Sequence, residues 1–201
     1  MKGLYLVTPD WDDTQQLLAA SEAGLRGGAA LLQYRHKTAS PQLRKEQATQ
    51  LLTLCRQYGT PFIVNDFVEL CLELDADGIH IGGTDASVAQ VREAVGPGKI
   101  VGASCYGSMT LAHGAWRAGA SYVAFGGFYP SRVKKYEVTT PPAIVAQSRQ
   151  EIPLPNVVIG GMTQQNAVPL IAQGADMVAA ISSVYMTPDP EAAARAFVRL
   201  F

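Results

Sequence analysis

The chain has 201 residues, of which 48% are apolar and 16% charged, and its formal net charge is −1. That composition supports a sizeable core and excludes a disordered chain, and the length fits one domain spanning residues 1–201. The near-neutral balance leaves no electrostatic footprint for nucleic acid or an anionic membrane, so any anion must be held by a local cluster of cations.

No apolar stretch reaches the ~20 residues of a membrane span. The first run, Leu4-Tyr5-Leu6-Val7, lacks the charged start and small-residue cleavage site of a secretory signal. Cys55, Cys71 and Cys105 are odd in number and include no Cys-x-x-Cys pair. This argues against a disulfide framework and a structural zinc site, and favours a reducing cytoplasm.

The rhythm is strand then helix, repeated. Leu4–Thr8 reads as a strand, followed by a helix from Thr14 to about Arg26 that Asp13 or Thr14 can cap. Ala30–Tyr34 is the second strand, and Pro41 opens a long helix to about Tyr58. Phe62–Val64, Gly78–Ile81, Ile100–Ala103 and Tyr122–Phe125 are the next strands. The first three of these lead into helices over Val68–Leu74, Ser87–Val95 and about Met109–Ala118. After a long connection a helix begins near Pro141 or Pro142. Val157–Ile159 is the seventh strand, with a helix over Gln165–Ala172; Met177–Ile181 is the eighth, and Pro190–Leu200 closes the chain as a helix. Gly27-Gly28-Ala29, Asp75-Ala76-Asp77-Gly78, Gly119-Ala120 and Gly174-Ala175-Asp176 each separate a helix from the next strand, where a left-handed glycine can end the helix.

Alternation of this kind favours parallel pairing with the helices outside. Eight units predict a single (β/α)8 TIM barrel, whose sites lie at the C-terminal ends of the strands. The rival, an open doubly wound sheet, usually has fewer units, and no Gly-x-Gly-x-x-Gly follows the first strand.

The strand ends hold most of the polar chemistry. The second closes on Gln33-Tyr34-Arg35-His36-Lys37, where period-two alternation aims Gln33, Arg35 and Lys37 to one side. Two cations and an amide make a cradle for a diphosphate, although a solvated strand end is the commoner meaning of such residues. Asp66, beside Asn65, and Asp85 are suited to Mg2+, which takes oxygen ligands and one or two carboxylates; each also suits a helix N-cap. Gly160-Gly161 and Ile181-Ser182 end the seventh and eighth strands, where barrels often bind phosphate through backbone N–H groups, unless the glycines merely allow a tight turn. His80 reads as a hydrogen-bonded interior residue, His36 and His113 give no stronger signal, and Tyr5 suits either the mouth or the core.

In order and spacing these segments resemble the thiamine-phosphate synthase (thiamine-phosphate pyrophosphorylase) family. The resemblance is carried by residues 33–37, Val64-Asn65-Asp66, Asp77-Gly78-Ile79-His80-Ile81-Gly82 with Asp85, and Gly102-Ala103-Ser104. Further on it rests on Tyr129-Pro130-Ser131, Ile159-Gly160-Gly161, and Gly174-Ala175-Asp176 leading to Ile181-Ser182. The resemblance implies an enzyme that joins a hydroxymethylpyrimidine diphosphate to a thiazole phosphate, releasing diphosphate and forming thiamine phosphate. It also implies that Gln33, Arg35, Lys37, Asn65, Ser104 and Lys134 contact the pyrimidine diphosphate, within a site that includes Tyr34, His36 and Ser131. Arg35, Lys37, Ser104 and Lys134 would be the catalytic groups, and Asp66 and Asp85 would hold Mg2+. Gly161, Ile181 and Ser182 would hold the thiazole phosphate. The implied reaction is dissociative and needs positioning and leaving-group stabilisation but no enzymic nucleophile. Small-molecule substrates are the implied partners, and a homo-oligomer is left open.

The chain departs from the family after the sixth strand, where Pro130-Ser131-Arg132-Val133-Lys134 replaces Pro-Thr-x-Thr-Lys and Gly126-Gly127 replaces Gly-Pro. The alternatives to a synthase are a thiazole tautomerase, a related barrel family that typically loses the diphosphate groups retained here, and a phosphate-ligand sensor without turnover. Because Val133 cannot supply the hydroxyl of the family's threonine, Val133→Thr is expected to lower the apparent Michaelis constant for the thiazole phosphate. An unchanged constant would mean that the segment takes another course in this chain.

Overall fold

Eight strands pair in sequence order, all parallel, and the eighth returns to the first, so the sheet closes into a barrel. The computed structural model describes residues 1–82, 87–130 and 140–201. The elements are β1 (Gly3–Val7), α1 (Thr14–Arg26), β2 (Leu31–Tyr34), α2 (Pro41–Tyr58), β3 (Phe62–Asn65) and α3 (Val68–Glu73). They continue with β4 (Gly78–Ile81), α4 (Val88–Val95), β5 (Ile100–Tyr106), α5 (Met109–Arg117), β6 (Tyr122–Gly126) and α6 (Ala143–Glu151). β7 (Asn156–Ile159), α7 (Gln164–Ala172), β8 (Met177–Ala180), α8 (Ser182–Tyr185) and α9 (Pro190–Val198) complete the chain.

Local chemistry sets the helix starts. Asp13 accepts from the Gln16 N–H, Ser40 precedes Pro41 and accepts from Leu43, and Asp189 precedes Pro190 and accepts from Ala192. Ser87 and Gln90 form a reciprocal capping box at α4, as Thr163 and Asn166 do at α7. The cap of α4 is thus Ser87. Before α3 the N-cap is Phe67, without a side-chain bond, so Asp66 does not serve that helix.

The turns into strands follow the glycine pattern at Gly28, Gly119 and Gly174, all with positive φ. The 75–78 turn departs from it: Asp75, at φ 49°, takes the left-handed position. Gly78 is instead needed in the strand, where a Cβ would lie 2.3 Å from the Ile100 carbonyl oxygen. Two features were not anticipated. β5 runs on past Ala103 to Tyr106 through an irregularity after Ser104, and one helical turn, α8, follows β8 directly. Four residues are too few to show a helical period in sequence.

Strand alternation divides the core into two layers. Leu4, Leu6, Leu32, Phe62, Val64, Ile79 and Val123 point outward and pack beneath the helices. Tyr5, Val7, Leu31, Ile63, Tyr122, Val157, Met177 and Ala179 fill the barrel itself. The interior contains one conspicuous close approach: a Cβ at Gly102 would sit 2.0 Å from Cζ of Tyr122, its registered neighbour on β6. The missing side chain makes room for the Tyr122 ring to lie across the interior.

Burial pushes the phenols of Tyr5, Tyr34, Tyr122 and Tyr185 above their ordinary value of 10.0. Above that value the unfolded chain loses protons that the folded chain retains. These groups therefore leave stability unaffected at lower pH and remove it as pH rises from about 10 through their raised folded values. Melting temperature is expected to hold level to about pH 9 and then fall, with their phenolate absorbance appearing together with unfolding. Ionisation of all eight tyrosines near pH 10 in the still-folded protein would contradict the burial.

Candidate active site

Parallel strands put all eight C-terminal ends on one face of the barrel, and the interior opens there into a cavity. Its walls hold Gln33, Arg35, Asn65, His80 and Ser104 from successive strands, with Lys37, Asp66, Gly82 and Tyr106 around the rim. Tyr5, Ala124, Val157 and Ala179 line its deeper part.

Arg35 is held before any ligand arrives. The buried Thr8 hydroxyl accepts from the Arg35 N–H (2.8 Å) and lies 3.0 Å from the Arg35 carbonyl oxygen, fixing the end of β2 against β1. Nη1 of Arg35 then donates to both oxygens of Asp10, at 3.1 and 3.2 Å. Asp10 also accepts from the backbone N–H of Lys37 (3.2 Å). Arg35 is only 8% exposed, and its Nε is buried without a hydrogen-bond partner among the described residues. A buried guanidinium N–H beside a cavity is costly unless an acceptor reaches it, and an anion would supply one.

The carboxylate of Asp66 faces this pair across the mouth. Its Oδ2 is 3.5 Å from Lys37 Nζ and accepts from Asn65 Nδ2 (2.7 Å), while Oδ1 accepts from the Gly82 N–H (3.1 Å). Asp66 holds φ 64° and Tyr106 φ 50°, a conformation unusual for residues other than glycine. Both line the cavity, where such strain often accompanies function.

Inside, five side chains form a continuous hydrogen-bonded chain. Gln33 Nε2 donates to the Tyr5 oxygen (2.6 Å), the Tyr5 and Tyr122 hydroxyls are 2.7 Å apart, and the Tyr122 hydroxyl is 2.9 Å from His80 Nδ1. His80 Nε2 lies 2.9 Å from Ser104 Oγ. The His80 and Tyr122 rings stack at 5.7 Å, and Tyr5 meets Tyr122 edge-on at 5.9 Å.

The structure therefore brings together Gln33, Arg35, Lys37, Asn65, Asp66 and Ser104. Tyr34 and His36 are turned away, because alternation along β2 sends them to the helix side. The Tyr34 hydroxyl donates to Gln47 of α2 (3.0 Å). His36 accepts the Ala39 N–H at Nδ1 (3.0 Å), which leaves its ring proton on Nε2 for Asp12 (3.1 Å). Neither lines the cavity.

Gly161, Ile181 and Ser182 follow β7 and β8 at the same end of the barrel but outside the described cavity wall. The side chain of Ile181 belongs to the interior cluster. Gly160 and Gly161 have positive φ, and a Cβ there would lie 2.9 Å from Gly127 N and 2.3 Å from Pro130 O respectively. The two glycines are thus required by the close approach of the loop after β6. That loop is tied at its base: the Thr140 N–H and hydroxyl donate to the Gly127 and Gly126 carbonyls, at 3.3 and 2.5 Å. Asp85, Ser131, Val133 and Lys134 lie outside the described residues.

Three members of the site were not singled out in the sequence. Asp10 follows β1, and its value emerges only when β1 and β2 pair. Tyr106 lies beyond Ala103, where the apolar run of β5 stops, so the sequence gives no sign that the strand carries it to the rim. Tyr122 looks like any aromatic core residue on a strand; its only signal was Gly102, which becomes informative once register is known.

A closed parallel barrel whose C-terminal mouth gathers Arg35, Lys37 and Asp66 defines a (β/α)8 protein with a cation-bearing polar site. The sequence profile of the thiamine monophosphate synthase family matches residues 4–184, and the chain belongs to that family. It is 65% identical over 201 residues to thiamine-phosphate synthase of Janthinobacterium sp. (strain Marseille), covering 100% of this chain and 97% of the relative. It is 47% identical to that of Aromatoleum aromaticum, with the same coverage. A solved structure of thiamine phosphate pyrophosphorylase from Pyrococcus furiosus superposes with a TM-score of 0.86 at 29% identity, covering 98% of this chain and 94% of that one.

Arg35→Lys retains charge but removes the planar fork and with it the Nε that has no partner among the described residues. It is expected to weaken binding of inorganic diphosphate, measured by calorimetry, by about tenfold or more. Unchanged affinity would place the anion elsewhere.

Proposed function

We propose that the chain joins 4-amino-2-methyl-5-(diphosphooxymethyl)pyrimidine to a thiazole phosphate, releasing diphosphate and forming thiamine phosphate. The observation that carries this reading is the convergence of Arg35, Lys37, Asn65, Asp66 and Ser104 around one cavity, in a chain of this family. The cations and the amide are the groups a diphosphate leaving group asks for, and a tautomerase acting on the thiazole alone has no need of them.

In this reading the pyrimidine lies in the deeper part of the cavity and its diphosphate at the mouth. Arg35 accommodates the charge through Nε and its remaining N–H groups, with Asp10 keeping the guanidinium in place. Lys37 adds a point charge, and Asn65 and Ser104 donate hydrogen bonds. As the bond between methylene carbon and oxygen breaks, negative charge grows on the diphosphate, and these donors strengthen with it. The thiazole nitrogen then attacks the cationic methylene carbon. Positioning and charge stabilisation suffice for this, without a covalent enzyme intermediate. The thiazole phosphate is assigned to Gly161, Ile181 and Ser182, at the strand ends where barrels often bind phosphate.

The donor set at the mouth fits Mg2+ in its chemistry: a carboxylate, Asp66, among oxygen and amide groups, with no histidine or thiol needed. Asp66 would hold the ion, with Asp85 as the second carboxylate implied by the resemblance. When bound it would neutralise part of the diphosphate charge. A protein confined to the cytoplasm fits this reading.

With both substrates and Mg2+ present, diphosphate release is expected to require all three. Asp66→Asn preserves a side chain tolerant of positive φ and is expected to keep the melting temperature while lowering turnover by about 100-fold or more. Change in the thiazole alone would favour a tautomerase, and binding without product a sensor. Full activity of Asp66→Asn would remove Asp66 from the metal site.

A further inference from the structure

The hydrogen-bonded chain has a direction. The Gln33 amide nitrogen is a donor only, so the Tyr5 oxygen accepts from it and the single Tyr5 proton goes to Tyr122. The reverse order would leave the Tyr5 O–H with no acceptor among the described residues, in a residue that is 1% exposed. The Tyr122 proton then goes to His80 Nδ1, which places the imidazole proton on Nε2. Nε2–H donates to Ser104 Oγ. With its oxygen receiving a proton from His80, the Ser104 hydroxyl is left to donate its own, and Ser104 lines the cavity.

We propose that Tyr122 is a positioning residue for the reaction: it fixes the Nε2–H tautomer of His80 and thereby turns the Ser104 hydroxyl into a donor aimed at the leaving diphosphate. The proposal rests on the synthase reading for its last step alone. Tyr122 is fully buried and does not line the cavity, so it acts through His80 and Ser104. Gly102 is its structural counterpart, since any Cβ there would displace the ring that carries the hydroxyl. Burial holds both phenols in the protonated form that the direction requires. A serine hydroxyl surrounded by water would divide its time among acceptors; one receiving a proton from a fixed imidazole keeps its donor direction through the reaction.

Two measurements on the full chain test this. In the imidazole nitrogen NMR spectrum the three histidines are distinguished by single substitutions. His80 is expected to show an unprotonated, hydrogen-bonded Nδ1 and a protonated Nε2, and Tyr122→Phe is expected to convert this to a mixture of tautomers. A protonated Nδ1 in the unsubstituted protein, or a spectrum unmoved by Tyr122→Phe, would overturn the proposal.

In the synthase assay Tyr122→Phe, with its melting temperature as a control for folding, is expected to lower kcat by about tenfold and the Michaelis constants by less. In a Ser104→Ala background the same substitution is expected to cost little more. An equal cost in both backgrounds would show that Tyr122 acts by packing, and would overturn the role through Ser104. Absence of activity in the unsubstituted protein would refute the synthase reading and with it the diphosphate as recipient, while the NMR result would still decide the direction of the chain.

Discussion

Closure of a parallel sheet is the constraint from which everything else here follows. A closed barrel allows each strand one interior face, and alternation then chooses the residues that occupy it. Gln33, Arg35, Asn65, His80 and Ser104 come from four strands, yet all meet because each stands on the inward parity of its own strand near the C-terminal end. The same parity sends Tyr34 and His36 into the helical layer. Residues adjacent in the chain thus belong to different environments, whereas residues tens of positions apart share one.

Within that frame the mouth is prepared electrostatically. Asp10 and Asp66 do not oppose the cations so much as hold them ready, one carboxylate for Arg35 and one within reach of Lys37. Pairing lowers the cost of keeping a guanidinium largely out of water. It also fixes the orientation of the remaining N–H groups, so a ligand finds donors already arranged. The non-glycine positive φ values at Asp66 and Tyr106 belong to the same preparation: strained backbone at the rim, supported by a well-packed barrel below.

Much of this was legible in the sequence. The strand–helix rhythm and the terminators read directly, because each is a local pattern: β4 and α2 occupy Gly78–Ile81 and Pro41–Tyr58 in both readings. Gln33, Arg35, Lys37, Asn65, Asp66 and Ser104 were visible because polar residues at the ends of apolar strands are conspicuous. What escaped depended on register. Asp10 gains meaning from its pairing with Arg35, and Tyr122 from the absence of a side chain at Gly102; both relations join residues separated by a strand boundary. Tyr34 and His36 were drawn in by adjacency, which alternation overrides. The turn at α8 was too short to announce itself.

The bond between Thr140 and the carbonyls of Gly126 and Gly127 has a consequence for how this fold can vary. The two ends of the connection between β6 and α6 are thereby joined to each other at the rim. Lengthening a segment anchored this way costs only a logarithmic increment of entropy. The anchor at the end of β6 therefore does not depend on how many residues the sequence spends between Pro130 and Thr140.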